Sequence, residues 1–132
     1  MLTVLFVCRG NVHRSPRAAT VFSKLARNKG VEVNVLSAGT EPWEWVNREP
    51  ERAFRQLGVR STTQVTHEML ELADKIVVMD EGNASCLVKE YGASRDGLTV
   101  LDVPDKYTKD RGNLPVLRRK LIQKLTPILD SF

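Results

Sequence analysis

Residues 2–22 read LTVLFVCRGNVHRSPRAATVF. The first six, Leu2 to Val7, form an unbroken apolar run rich in β-branched and aromatic side chains. Such a run, with no polar alternation, predicts a strand covered on both faces, as in a parallel sheet. A short loop, CRGNVHR, follows at residues 8–14. Ser15 then offers a hydroxyl N-cap, and Pro16 suits the first helical position. Ala18, Val21, Phe22 and Leu25 recur at helical spacing, and Gly30 supplies a stop. A buried strand, a tight loop and a helix are the first half of a βαβ unit.

The same grammar continues outward. Val31 to Leu36 (VEVNVL) alternates and predicts a second strand, with a turn at Ser37–Thr40 (SAGT) and a loop over 41–49 carrying Trp43 and Trp45. Pro50 opens a helix with Ala53, Phe54 and Leu57 on one face, closed by Gly58. Thr66 caps a short helix holding Met69, Leu70 and Leu72. Asp74–Met79 (DKIVVM) predicts a third buried strand, Ala84–Tyr91 a helix ending before Gly92, and Leu98–Leu101 a fourth strand. A loop spans 102–113. Leu114, Leu117, Leu121, Leu125 and Ile128 then form one stripe of a packing helix. Strands alternating with helices predict an α/β fold: a single-domain, open, parallel four-stranded sheet with helices on both faces, occupying residues 1–132.

Composition narrows the function. The chain has 132 residues, of which 42% are hydrophobic and 27% charged. One domain with a true core fits that size, and disorder does not. The two cysteines, Cys8 and Cys86, and two histidines exclude a disulfide scaffold and a cysteine-built zinc site. No metal or other cofactor is expected. No apolar run approaches the length of a membrane span. The start is read as a first strand and not a signal peptide, and two thiols without a leader suggest a cytoplasmic setting. The net charge of +4 is mild. Without aromatic interleaving or a recognised motif it does not indicate nucleic-acid binding, but it suits a phosphate-handling protein. The Arg118-Arg119-Lys120 cluster is read as a solvated helix face.

The chemistry is expected in the loop Cys8-Arg9-Gly10-Asn11-Val12-His13-Arg14-Ser15. Between a strand and a helix start, its backbone N–H groups can curl into an anion-binding nest, reinforced by the helix dipole. Gly10 and Asn11 tolerate the left-handed angles a tight loop needs. Arg14 brings a planar guanidinium able to grip two phosphate oxygens. Cys8 lies at the floor of this bowl, where donors and positive charge favour the thiolate, the nucleophilic form. A thiolate beneath a bound phosphate ester is placed to attack phosphorus. An isolated Cys–x5–Arg would more often be a structural cysteine near a turn. Here the strand before it, the Gly-Asn within it and the Ser-Pro after it agree.

The segment VLFVCRGNVHRSPRA resembles the phosphate-binding loop of the low-molecular-weight protein tyrosine phosphatases. The likeness continues in order through SAGT with Trp43, EPERAFRQLGV, VVMDEGN at Val77–Asn83, and LDVPDKY at Leu101–Tyr107. It covers most of the chain, which is shorter than typical members around the last of these segments. The resemblance implies a metal-free phosphatase acting on a phosphotyrosine protein or a small aryl phosphate through a phosphocysteine. Cys8 would be the nucleophile and Arg14 the phosphoryl grip. Ser15 would donate to the thiolate, and Asn11 would hold the loop's shape. Asp105 would be the general acid and then base, with Asp102 as its rival. By spacing alone, Asp105 would be ordinary turn chemistry.

The other loop residues Gly10, Val12 and His13 would line the phosphate site, with Arg9 at its rim. Trp43 would form a pocket wall and Tyr107 the pocket mouth, while Trp45 and His67 are read as packing and surface residues. Asp80 and Asn83 would brace the active loop without touching substrate. Lys106 stands where the family usually has Pro, and His13 where it often has a second cysteine, so Cys8 lacks that local partner. A monomer or weak dimer is expected, with neither nucleic acid nor membrane as partner.

Two other classes share the loop. A thioredoxin-coupled arsenate reductase needs paired cysteines about seven residues apart; Met79 and Cys86 have that spacing, but only one is a thiol. The other is non-catalytic: a phosphotyrosine reader, or a phosphocarrier in which Cys8 is phosphorylated and passes the group on; a reader would keep Arg14 but need neither Cys8 nor Asp105, and the presence of both favours turnover.

Overall fold

Four strands lie side by side in the order β2-β1-β3-β4, every pair parallel. The computed structural model describes residues 1–9, 14–40, 63–103 and 114–132, with the side chain of Leu114 excluded. In chain order the elements are β1 (Leu2–Cys8), α1 (Arg14–Lys29), β2 (Val33–Gly39), α2 (His67–Leu72), β3 (Lys75–Val78), α3 (Glu81–Tyr91), a single 3-10 turn (Arg95–Gly97), β4 (Leu98–Val100) and α4 (Leu114–Asp130).

The strand order follows from the apolar run that opens the chain. Val4, Leu5, Phe6 and Val7 are fully buried, so β1 needs cover on both faces and neighbours on both edges. It pairs with β2 from Leu2↔Val33 to Cys8↔Gly39, and with β3 from Val4↔Lys75 to Val7↔Val78. Alternate side chains feed two cores. Val4, Phe6, Val77 and Met79 meet Ala18, Phe22 and Ala26 of α1 and Leu117, Leu121 and Leu125 of α4. Leu5, Val7, Val78 and Leu98 meet Ala84 and Leu87 of α3, with Met69 and Leu70 of α2 packed alongside. The expected α/β sheet with helices on both faces is the observed one. It also creates a switch point: from β1 the chain winds to β2 on one side and, later, to β3 on the other. Ligands of open α/β sheets bind beyond the carboxyl ends of strands at that point.

Local boundaries carry corrections. Ser15 is not an N-cap: α1 begins at Arg14, and the Ser15 side chain is buried and turned to the sheet. SAGT is not a turn: Ser37–Gly39 continue β2, because β1 extends to Cys8 and its ladder holds them in register. Gly39 also bridges to Gln64, and its N–H donates to the Thr63 carbonyl (2.8 Å). β2 begins at Val33 rather than Val31, and α3 at Glu81 rather than Ala84. The stop and cap signals hold. Gly30 ends α1 with φ +72°, and Gly92 caps α3 with φ +70°, an angle that favours glycine. Thr66 caps α2 by accepting from the Met69 N–H (3.2 Å). The helix expected from Pro50 to Gly58 and most of the loop expected over 102–113 lie outside the described residues.

Among the described residues no helix is long and apolar enough to cross a membrane.

Candidate active site

β1 ends at Cys8 and α1 begins at Arg14, so five residues separate the two expected key residues. Cys8 is 3% exposed and borders the apolar cluster beneath α1. Its carbonyl is anchored by the Thr40 N–H (3.0 Å), which ties the end of β1 to the end of β2. Its Sγ lies 3.0 Å from Ser15 Oγ. The same hydroxyl lies 3.3 Å from the Ala38 carbonyl. A hydroxyl carries one proton and here faces two acceptors. When the thiol is neutral, its own proton can point at Ser15 while Ser15 donates to Ala38. When the sulfur is ionised it can only accept, and the Ser15 proton turns to it. Ser15 was expected to donate to the sulfur, and the geometry permits that; its burial inside α1 is what aims it.

Arg14 is 5% exposed, so its charge requires partners. Its Nη1 donates to Asp80 Oδ2 at 2.6 Å and to the Val103 carbonyl at 3.1 Å. Both partners come from the carboxyl ends of neighbouring strands. Asp80 follows β3, and Val103 follows β4, where its N–H donates to the Met79 carbonyl (2.7 Å). Asp80 is fixed in turn. Its Oδ1 accepts from the Asn83 N–H (2.9 Å), while Asn83 Oδ1 accepts from the Asp80 N–H (3.2 Å), a reciprocal capping box at the start of α3. The Asp80/Asn83 brace anticipated from VVMDEGN therefore acts on the arginine itself. The Asp80–Arg14 pairing itself was not foreseen, because its two partners lie 66 positions apart and meet only through the sheet. The Val103 carbonyl has no side-chain signal at all.

The remaining expectations divide. Arg9 is exposed at the end of β1. Asp102, the rival acid, is exposed and has φ +59° between two buried neighbours, Leu101 and Val103. Met79 is fully buried in the apolar core, a packing position. His67 opens α2 and sets its ring 5.2 Å from that of Tyr91. Cys86 is half-buried on α3 and, like Cys8, is not in a disulfide. Gly10, Asn11, Val12, His13, Trp43, Trp45, Asp105 and Tyr107 lie outside the described residues. Among the described residues no group of three or more His, Cys, Asp or Glu could hold a metal ion.

Comparison with known proteins agrees with this geometry. Residues 3–130 match the family described as low molecular weight phosphotyrosine protein phosphatase. The chain is 28% identical to a protein-arginine-phosphatase of Bacillus subtilis, with 94% of this chain and 97% of that protein covered. It is 33% identical to low molecular weight protein-tyrosine phosphatase A of Mycobacterium tuberculosis, covering 85% of this chain and 80% of that one. Its fold matches the crystal structure of a YwlE mutant from Bacillus subtilis with a TM-score of 0.78 at 24% identity, covering 99% and 98% of the two chains. The chain belongs to the low molecular weight phosphotyrosine protein phosphatase family and is a protein phosphatase.

Proposed function

We propose that the chain hydrolyses phosphotyrosine in proteins, and small aryl phosphates, by two displacements at phosphorus through Cys8. The observation that carries this reading is the Cys8 Sγ–Ser15 Oγ contact of 3.0 Å beside the buried Arg14. In the first displacement the Cys8 thiolate attacks phosphorus, the P–O bond to the phenol breaks, and Asp105 gives its proton to the departing oxygen. Arg14 and the amides of residues 9–15 hold the three equatorial oxygens where charge spreads. In the second, Asp105 takes a proton from water, the water oxygen bonds to phosphorus, and the P–S bond breaks. Ser15 then donates to the released thiolate. Trp43 and Tyr107 flank the aryl ring, with Arg9, Gly10, Asn11, Val12 and His13 around the phosphate. No step uses a metal or another cofactor.

The similarity to an arginine phosphatase supports a second substrate, phosphoarginine, in which the same attack would break a P–N bond. Two unbridged thiols suit a reducing, cytoplasmic compartment. The working unit is taken as a monomer or weak dimer.

The test is turnover of an aryl phosphate, a phosphotyrosine peptide and a phosphoarginine peptide, each with chelator and with vanadate. Cys8→Ser is expected to abolish turnover, and Asp105→Asn to slow it by about 10²–10⁴-fold. Chelator should have no effect and vanadate should inhibit. Undiminished turnover in Cys8→Ser would overturn the mechanism, and turnover confined to phosphoarginine would overturn the substrate.

A further inference from the structure

α1 and α4 lie against the same face of the sheet and run in the same direction. Lys29 at the end of α1 pairs with Asp130 at the end of α4, so the starts of both helices share the opposite end. A cavity of about 490 Å³ opens between them. Arg17, Lys24 and Arg118 line it together with the apolar Val21, Leu25 and Ile122, and none of its described lining residues is acidic. It contains none of Cys8, Arg14 and Ser15.

The three cations are unbalanced. Among the described residues none of them has an ion-pair partner. The Arg17 Nε is buried and without a hydrogen-bond partner among those residues. Burial, and next the Arg118 charge, pull the Arg17 guanidinium below its ordinary value. A guanidinium does not give up its proton in a protein, so this direction measures an unfavourable field. An anion between Arg17 and Arg118 would relieve it.

We infer that this cleft is a second anion site, separate from the Cys8 loop, and that it takes a small organic phosphate. The phosphate sits between the Arg17 and Arg118 guanidiniums, whose planar forks match its oxygens. Lys24, about two turns further along α1, adds charge for a dianion. Val21, Leu25 and Ile122 supply an apolar wall for the organic body. The cavity lies within the size range of small-molecule sites, about 300–1,000 Å³. The inference concerns binding and does not require Cys8 to be the nucleophile.

The test is an amide chemical-shift titration of the whole protein with adenosine monophosphate, a hexose phosphate, inorganic phosphate and an acidic peptide. Phosphate at the Cys8 loop perturbs residues near 8–15, so the cleft is read from residues 20–25 and 118–122. Saturable shifts there with either organic phosphate, tighter than with inorganic phosphate, are expected. The stronger of the two organic probes shows whether a planar base or a sugar suits the wall. Arg118→Gln changes an exposed side chain and should weaken the cleft response about tenfold, the loss of one charge-assisted hydrogen bond, while sparing the loop response. Arg17→Lys keeps the charge but removes the fork, and should also weaken it. The site is refuted by no saturable shift at 20–25 and 118–122, by affinity unchanged in Arg118→Gln, or by inorganic phosphate binding as tightly as the organic probes. A response only to an acidic peptide refutes it as well, and would make the cleft a protein-docking surface.

Discussion

Asp80 does two jobs with two oxygens. Oδ1 closes the capping box of α3, and Oδ2 neutralises Arg14. Substitutions separate these jobs. Asp80→Asn keeps an oxygen for the Asn83 N–H but replaces the anion facing Arg14 with a neutral amide. A 5%-exposed guanidinium then loses the Asp80 charge, at a cost of about 1.5–3 kcal/mol, moderated because Asp80 is 34% exposed. Arg14 also loses its aim, and a misplaced phosphoryl grip lowers kcat by up to about 10²-fold. Asp80→Ala removes the cap as well, for about 1 kcal/mol more. Thermal unfolding should therefore rank wild type above Asp80→Asn above Asp80→Ala. Aryl phosphate kcat should fall in both variants alike, because both lose the carboxylate that faces Arg14. Wild-type kcat in Asp80→Asn would show that the pairing does not orient the arginine.

At the scale of elements, legibility tracked how local the cause was. β1 was readable because its burial on both faces leaves an unbroken apolar run. Gly30 and Gly92 were readable because a left-handed helix stop favours a residue without a side chain. Ser15 was misread because Ser-Pro is a strong local start signal, whereas the residue's hydroxyl is held by Cys8 and Ala38, 7 and 23 positions away. SAGT was misread for a similar reason: its small, turn-like residues are kept extended by pairing with Phe6, Val7 and Cys8. α4 shows the legible extreme. Leu117, Leu121 and Leu125 are fully buried at four-residue spacing, and Ile122 beside them is 37% exposed. Leu121→Ala should cost about 2–5 kcal/mol, since it leaves a cavity in the buried core that Leu121 shares with Phe6 and Phe22. Ile122→Ala should cost less than about 1 kcal/mol. Urea midpoints measure both, and equal losses would contradict the burial pattern.

Across the whole molecule, the sequence order of the segments was enough to place Cys8 and Arg14 together, because a strand-to-helix connection is local. It could not bring Arg14 to Asp80, 66 residues away, or Arg17 to Arg118; those meetings depend on β3 pairing beside β1 and α4 packing beside α1. The same long-range dependence argues that residues 1–132 act as one domain. β1 is the shared wall of both cores: Val4 and Phe6 face one, Leu5 and Val7 the other. Neither core closes if β1 leaves, and α4, last in sequence, packs on the layer built by the first strand and first helix. Unfolding should therefore be a single cooperative transition. Far-UV circular dichroism follows the helices, while tryptophan fluorescence follows Trp43 and Trp45 in the segment between β2 and α2. The two probes should share one urea midpoint and one slope. Vanadate, if it binds only the native Cys8 loop, should move both midpoints upward together by mass action. Separate midpoints, or a vanadate shift seen by fluorescence alone, would mean that the tryptophan-bearing segment unfolds independently of the sheet and that the single-domain reading is wrong.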